Sequence, residues 1–158
     1  MTERRRICLV GVGLIAGSLG MALREASPEF EVVGLGRDPD RLQKAVEKGA
    51  IESFSTDPAL ALENADIVVL GVPLGAVEAV LADIAPWLPE TAIITDVGSA
   101  KGCVVAAFAA VFGNVPKRFV PGHPIAGVEH SGVEAAFSTL FAGRRVILTP
   151  HQNTLPEA

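Results

Sequence analysis

Short runs of apolar, often β-branched residues alternate along the chain with longer segments in which apolar residues recur at helical spacing. The short runs predict strands because turn residues bound them and they are too short for helices. The longer segments predict helices that each bury one face. Alternation of this kind is typical of an α/β domain, in which helices cover both faces of a doubly wound, mainly parallel sheet.

The predicted elements cover most of the chain. The strands are 6–10, 31–35, 53–54, 67–71, 92–95, 118–120 and 146–148, and the helices are 14–25, 39–48, 58–63, 74–85, 100–112 and, shorter, 133–137. Pro39 and Pro58 suit the first turn of a helix, since the amide hydrogen that proline lacks has no intrahelical acceptor there. Asp38 and Asp57 precede them as predicted N-caps.

Length and composition indicate one globular domain. The 158 residues are 49% hydrophobic and 20% charged, which is enough apolar sequence for a sizeable core. We expect this domain to span residues 1–150 and to be followed by a frayed tail, residues 151–158, which lacks apolar periodicity. Cys8 and Cys103 have neither metal-ligand spacing nor a disulfide framework, so both are expected in the core and no metal site is predicted.

Charge and hydropathy argue against two classes of partner. The net charge is -5, and the basic residues cluster only at Arg4 to Arg6, which argues against nucleic-acid binding. Every apolar stretch is well short of the roughly 20 residues that a membrane-spanning helix needs. The sequence therefore predicts a cytoplasmic protein without a nucleic-acid or membrane partner.

A glycine-rich segment, GVGLIAG, follows the first predicted strand and opens the first predicted helix. It matches the dinucleotide fingerprint G-x-G-x-x-G/A in the strand–turn–helix setting of a Rossmann-type fold. Gly11 permits the tight turn, Gly13 lets the backbone approach a pyrophosphate, and Ala16 allows the helix to pack close to the strand. Free amides of the first helical turn, at Leu14 and Ile15, then face the anion. A glycine turn without a ligand is the alternative.

The end of the second predicted strand bears on which dinucleotide binds. An NAD enzyme usually places a carboxylate there for the ribose 2'-hydroxyl, whereas this chain has Gly36. Arg37 follows, and a guanidinium binds phosphate through two parallel N–H groups. We therefore predict NADP as the cofactor. NAD remains possible if Asp38 is the ribose acceptor, and in a third interpretation Arg37 is a solvated charge and Asp38 only a helix cap.

Two further segments end predicted strands at the carboxyl edge of the sheet, where dinucleotide sites lie. Val72 and Pro73 are predicted to flank the adenine or ribose, although a plain strand-to-helix turn explains them equally well. In the next segment Asp96 belongs either to the cofactor site or to a turn. Ser99 either orients a substrate or imidazole, or caps a helix that starts at Ala100.

A histidine follows the sixth predicted strand, between Gly122 and Pro124. We predict that His123 lies on a constrained loop of the kind that holds catalytic groups on a rigid frame. Imidazole titrates near neutral pH, so it is suited to take a proton as hydride leaves an alcohol carbon. From chemistry alone, a histidine that only caps backbone groups is an equally good interpretation.

Five segments together resemble the nucleotide-binding domain of prephenate and arogenate dehydrogenases, and they occur in that family's order. They are GVGLIAGSL, DVGSAK, PGHPIAG, SGVEAA and ILTP, which begin at residues 11, 96, 121, 131 and 147. Many dehydrogenases share the glycine loop, but the pairing of DVGSxK with GHPIAG is much more specific. The resemblance spans nearly the whole chain.

The resemblance implies roles for three residues. His123 accepts the proton of the substrate hydroxyl, Ser99 orients His123, and Glu129 belongs to a charged network at the substrate entrance. The implied reaction is the oxidative decarboxylation of prephenate or L-arogenate in tyrosine biosynthesis. Hydride passes from the ring carbinol carbon to NAD(P) while the ring carboxylate leaves as carbon dioxide.

Two departures from the family pattern matter. Val128 stands where the family often has threonine, which removes a hydroxyl before Glu129. The family also carries a C-terminal helical domain that supplies the dimer interface and an arginine for the substrate, and this sequence stops shortly after Pro150. We therefore expect this chain to be the cofactor-binding portion of a homodimeric enzyme and to have little or no activity alone. A β-hydroxyacid or imine-type NADP reductase and a non-catalytic nucleotide-binding module are the competing hypotheses.

Overall fold

The computed structural model describes residues 4–158, and a six-stranded parallel sheet lies at its centre. The strands are β1 (Arg5–Val10), β2 (Phe30–Leu35), β3 (Ser53–Ser55), β4 (Ile67–Leu70), β5 (Ile93–Asp96) and β6 (Phe119–Val120). Their order across the sheet is β3-β2-β1-β4-β5-β6, and all neighbours run parallel. This is the doubly wound Rossmann order, which confirms the predicted fold class.

The described residues form five α-helices, which are α1 (Leu14–Ala26), α2 (Pro39–Glu47), α3 (Pro58–Ala61), α4 (Val77–Ile84) and α5 (Lys101–Phe112). Both predicted caps are confirmed. The Asp38 carboxylate accepts from the amides of Asp40 and Arg41, and the Asp57 carboxylate accepts from the amide of Ala59. Within residues 4–158, the helices are all too short or too polar to cross a membrane.

Two predicted helices differ in type from the observed structure. The predicted helix 74–85 is a 3₁₀ turn (Leu74–Ala76), then α4, then a second 3₁₀ turn (Ala85–Trp87). Pro86 explains the second change, because proline cannot supply an amide to an α-helical hydrogen bond. The predicted helix 133–137 is a 3₁₀ turn, Val133–Ala135.

Helices cover both faces of the parallel sheet. Side chains of a strand alternate between faces, and β1 shows this clearly. Ile7 and Leu9 pack with buried residues of α1 and α2, whereas Cys8 and Val10 pack with buried residues of α3, α4 and α5. The connections that follow β1 and β4 therefore lead into helices on opposite faces of the sheet, α1 and α4.

The last predicted strand does not join the parallel sheet. β8 (Val146–Leu148) pairs antiparallel with β7 (Gly122–Pro124), and His123 lies opposite Ile147. The prediction that His123 lies on a loop is therefore wrong. Pro121 provides the physical reason: it follows β6 and lacks an amide hydrogen, so the ladder with β5 ends and the chain takes a new partner.

The two cysteines have different environments. Cys8 is buried as predicted, and burial raises the pKa of its thiol to about 12. Cys103 is exposed, so its prediction as a core residue is wrong. The buried stripe of α5 consists of Val104, Ala107 and Phe108, and Cys103 lies outside it.

The tail, residues 151–158, is held against the start of β6 rather than frayed. The Leu155 amide donates to the Lys117 carbonyl at 2.9 Å, and Glu157 lies 3.5 Å from Arg118. The expectation of a frayed tail is therefore wrong. Composition alone did not predict these contacts, because they involve a backbone hydrogen bond and an ion pair rather than a periodic set of apolar side chains.

Candidate nucleotide-binding and catalytic site

The candidate site lies at the carboxyl edge of the parallel sheet. β1 and β4 are neighbours, and the helices that follow them cover opposite faces. The connections after these two strands therefore diverge and leave a crevice, which is where open α/β sheets bind ligands. The glycine loop after β1 and the Val72–Pro73 segment after β4 border this crevice.

Gly11 makes the tight turn out of β1. Its φ is +83°, a left-handed conformation that favours glycine. A Cβ at this position would lie 2.7 Å from Val72 Cγ1 and 3.0 Å from the Gly71 carbonyl oxygen. Because Val72 packs directly over Gly11, the two connections at the crevice support each other. Pro73, beside it, is exposed and precedes the 3₁₀ turn.

The start of α1 is open to an anion. Gly13 is the N-cap and supplies no side-chain hydrogen bond, and a Cβ built on it meets nothing within 4 Å. The first intrahelical bond found there joins the Gly17 amide to the Gly13 carbonyl at 2.9 Å. The amides before it, at Leu14, Ile15 and Ala16, thus lack helical acceptors. These features fit a diphosphate at the start of α1.

Ala16 acts through packing. Its side chain is 1% exposed, and its Cβ lies 2.7 Å from the position that a Cβ on Gly71 would occupy. This contact matches the predicted close approach of helix and strand. The contact also gives a steric reason for glycine at position 71, because a side chain there would collide with Ala16. Sequence analysis placed Gly71 only at the end of a strand, although its position directly before Val72 and Pro73 was a usable signal.

The residues directly after β2 include an exposed arginine and the aspartate that caps α2. The Asp38 carboxylate caps α2 with distances of 3.0 and 3.3 Å to two amides and lies 3.4 Å from Arg41 Nε. Arg37 is exposed. A Cβ on Gly36 would have Leu42 Cδ2 at 3.4 Å as its nearest neighbour, an ordinary van der Waals distance. Glycine is therefore not sterically required at position 36.

Asp96 joins two segments of the candidate site. It ends β5 and is 3% exposed. Its Oδ2 accepts from the Gly98 amide at 2.9 Å and from Lys101 Nζ, and its Oδ1 accepts from the Gly122 amide at 3.1 Å. Asp96 thus forms the turn that was one of its two interpretations, and a direct contact with a cofactor stays a prediction. Lys101, which sequence analysis did not single out, also lies at the candidate site through its contact with Asp96.

Ser99 and His123 lie on the two segments that Asp96 joins. Ser99 follows Gly98 and is exposed, and His123 follows Gly122 and is half-buried. Ser99 is not a helix cap, because α5 begins at Lys101, Ala100 is its N-cap and no side chain caps it. The Asp96 turn delays the helix by one residue. Glu129 lies in the exposed stretch after β7.

Hydrogen bonds flank His123 along its strand. On one side the Thr149 amide donates to the Pro121 carbonyl at 3.0 Å, and on the other the Ile125 amide donates to the Arg145 carbonyl at 2.8 Å. The backbone of β7 is therefore fixed on both sides of the imidazole. A half-buried imidazole on a fixed backbone is suited to proton transfer with a bound ligand.

Comparison with known proteins extends these observations. Residues 19–158 match the family model described as prephenate dehydrogenase, nucleotide-binding domain, so the glycine loop lies outside the matched range. The chain is 33% identical over 154 residues to a prephenate dehydrogenase of Lactococcus lactis, a match that covers 97% of this chain and 43% of that protein.

Solved structures agree with this match. A prephenate dehydrogenase from A. aeolicus, crystallised with hydroxyphenyl propionate and NAD+, has a TM-score of 0.87 and 35% identity, and the match covers 97% of this chain and 53% of that one. A Synechocystis arogenate dehydrogenase has a TM-score of 0.86 and 33% identity over 96% of this chain and 52% of its own. The chain thus spans about half the length of these relatives. It belongs to the prephenate dehydrogenase family and corresponds to the nucleotide-binding domain.

Proposed function

We propose that this chain is the nucleotide-binding part of an NAD(P)-dependent prephenate or arogenate dehydrogenase. The observation that carries the proposal is the Asp96 carboxylate, which joins the Ser99 segment to the His123 strand at the sheet edge that bears the glycine loop. The residues proposed to hold the dinucleotide are Gly11, Gly13, Leu14, Ile15, Ala16, Gly36, Arg37, Val72, Pro73 and Asp96. When bound, the nicotinamide accepts the hydride.

The chain's own residues handle the proton of the reaction. A ring nitrogen of His123 takes the proton from the substrate hydroxyl, which raises electron density on the carbinol carbon that loses hydride. The Ser99 hydroxyl both donates and accepts hydrogen bonds, so it orients the imidazole or the substrate. Glu129, on the exposed stretch after β7, contributes negative charge at the substrate entrance.

We further propose that activity requires a C-terminal helical domain and that the complete enzyme is a homodimer. The second sheet supports this proposal. Val146, Ile147 and Leu148 are 53%, 48% and 58% exposed, so a whole strand presents apolar side chains at the surface. Contiguous exposed apolar surface of this kind marks an interaction site. The two-domain enzyme is defined here as this chain continued into that C-terminal domain.

Turnover by the chain and by the two-domain enzyme tests the proposed function. The 158-residue chain is expected to bind a dinucleotide but to form no NADPH or NADH with prephenate or L-arogenate, because it spans only about half the length of its relatives. The two-domain enzyme is expected to turn over at least one of these substrates. Absorbance at the reduced-nicotinamide band measures both. Turnover by the chain alone would contradict the need for a second domain.

Failure of the two-domain enzyme to oxidise either substrate would refute the dehydrogenase proposal. Turnover of a β-hydroxyacid or reduction of an imine would then favour a reductase. Dinucleotide binding without any turnover would favour a regulatory module. The three hypotheses therefore predict different results in one set of assays.

We propose NADP as the preferred cofactor, with NAD as the alternative, since Arg37 is exposed and directly follows Gly36, which offers no carboxylate to a ribose 2'-hydroxyl. Arg37→Ala is expected to weaken NADP binding about 10-fold to 100-fold, because a hydrogen bond to a charged group contributes about 1.5–3 kcal/mol. NAD affinity is expected to change less than about threefold, since NAD lacks the 2'-phosphate. Calorimetric titration of the chain with each dinucleotide measures both.

Two further variants sharpen this experiment. Gly36→Asp is expected to reverse the preference toward NAD, because its carboxylate repels a 2'-phosphate and accepts from a 2'-hydroxyl. Arg118→Ala removes an equal charge at the opposite, amino end of the sheet and is expected to leave both affinities unchanged. Equal affinities of the unaltered chain for both dinucleotides, or tighter binding of NAD, contradict the NADP assignment.

A further inference from the structure

The chemistry proposed above gives no role to Lys101 and leaves the charge of Asp96 unexplained. Among the ion pairs formed within residues 4–158, theirs is the most buried, with 2% of the Asp96 side chain and 19% of the Lys101 side chain exposed. Burial of two charges is unfavourable unless both are well paired and hydrogen-bonded. A buried pair at the ligand edge of the sheet therefore calls for a physical explanation.

The pair holds both backbone groups of Gly122. Asp96 Oδ1 accepts from the Gly122 amide at 3.1 Å, and Lys101 Nζ donates to the Gly122 carbonyl. The backbones of Gly122 and Asp96 also lie so close together that position 122 requires glycine, because a Cβ on Gly122 would lie 2.8 Å from the Asp96 carbonyl oxygen. Gly122 precedes His123 directly. The pair thus fixes the residue next to the imidazole from two sides.

The same pair holds the other segment. Asp96 Oδ2 accepts from the Gly98 amide at 2.9 Å as well as from Lys101, and Ser99 lies between these two donors in sequence. A carboxylate has two acceptor oxygens, and both are used, one on each segment. An asparagine has a single acceptor oxygen and cannot hold the two segments in this way.

The other backbone hydrogen bonds described for β7 and its flanking residues are made with β8 and the residues next to it. The partner of β7 in the described structure is β8, whose three side chains are about half exposed. We propose that the Asp96–Lys101 pair positions the imidazole of His123 against Ser99. Asp96 and Lys101 are thus positioning residues for the dehydrogenase reaction. This inference rests on the proposed function, and it assigns to the pair a task beyond stability. Neither side chain is required to touch the substrate or the dinucleotide.

Steady-state kinetics of the two-domain enzyme test the inference. Lys101→Met removes the donor to Gly122 and the charge beside Asp96 while it keeps the length of the side chain. We expect kcat to fall about 10-fold to 100-fold, because displacement of a catalytic group by about 1 Å costs up to 100-fold. KM for the dinucleotide is expected to stay within about twofold, since the glycine loop is not altered. Lys101→Arg retains the charge and the hydrogen-bond donors, so its kcat is expected to lie between that of Lys101→Met and that of the unaltered enzyme.

A matched control separates positioning from stability. Glu31→Gln breaks the Arg6–Glu31 ion pair, which is 2.7 Å long, partly buried and located away from the carboxyl edge of the sheet. It is expected to lower the thermal midpoint without lowering kcat. All assays are made at a temperature at which circular dichroism shows every variant folded. A kcat for Lys101→Met within twofold of the unaltered enzyme, or an equal fall in Glu31→Gln, overturns the inference.

Hydrogen exchange on the 158-residue chain provides a test that does not depend on substrate. In Asp96→Asn and Lys101→Met we expect the Gly122 and His123 amides to exchange at least about 10-fold faster, while amides of β1 are unchanged. Unchanged protection at Gly122 in both variants overturns the inference even if the enzyme is active. If instead the unaltered two-domain enzyme oxidises neither substrate, the proposed function fails, and exchange alone decides whether the pair fixes β7.

Discussion

Replacement of His123 by asparagine in the two-domain enzyme is expected to lower kcat about 100-fold to 10,000-fold. Asparagine keeps a hydrogen-bonding side chain of similar reach, but it does not accept a proton near neutral pH. A positioned general base contributes a factor of this size. Because β7 is hydrogen-bonded on both sides of position 123, the substitution is expected to leave the backbone in place.

Cofactor binding and a second histidine provide the controls for this experiment. The Kd of the dinucleotide, measured by calorimetry, is expected to stay within about threefold, since the proposed diphosphate site is the start of α1. His151→Asn changes an exposed histidine in the tail and is expected to leave kcat unaltered. An unchanged kcat in His123→Asn would remove His123 from the mechanism and favour either another base or a non-catalytic module.

The second large effect is expected for the stability of the chain. Gly20 lies in α1, where a Cβ would come within 2.1 Å of the Ala50 carbonyl oxygen and 3.1 Å of Leu9 Cδ1. The first neighbour is backbone and cannot move aside without shifting the chain before β3. We expect Gly20→Ala to reduce the free energy of unfolding by about 2–3 kcal/mol despite the better helix propensity of alanine.

Another helical glycine provides the matched control. Gly102 lies in the first turn of α5, where a Cβ meets nothing within 4 Å. Gly102→Ala is expected to stabilise the chain by up to about 1 kcal/mol. Thermal and urea unfolding measure both variants, and a loss of 2–3 kcal/mol corresponds to a fall in Tm of about 5–10 °C. Equal stability of Gly20→Ala and the unaltered chain would show that α1 does not pack against Ala50 as described.

The strands, the helix caps and the glycine loop could be predicted from the sequence because each depends on residues that are close together along the chain. The seven predicted strands all occur, within one residue at either end, since each is a short apolar run bounded by turn residues. Asp38 and Asp57 cap their helices because a cap involves only the next two or three amides. The glycine loop is similar: φ +83° at Gly11 and the uncapped start of α1 follow from a few adjacent residues.

Contacts between residues that are distant in sequence could not be predicted from the sequence. Periodicity showed that 146–148 is a strand, but a strand has two edges and its sequence does not specify which strand pairs with it. The pairing of β8 with β7 depends on Pro121, which stops β6 more than 20 residues earlier. The exposure of Cys103 likewise depends on which face of α5 meets the sheet, and α5 is apolar on nearly every side.

For the candidate site, the sequence by itself identified the chemical groups, namely a glycine loop, a serine, a histidine and a carboxylate at the ends of strands. It did so because strand ends in a parallel sheet share one edge, which makes sequence position a guide to location. Only the tertiary structure decided how the groups are connected. Asp96 reaches Gly122 across 26 residues of sequence, and Lys101 reaches it across 21. Contacts of such separation arise from the order of β5, β6 and β7 in space, which no local pattern encodes.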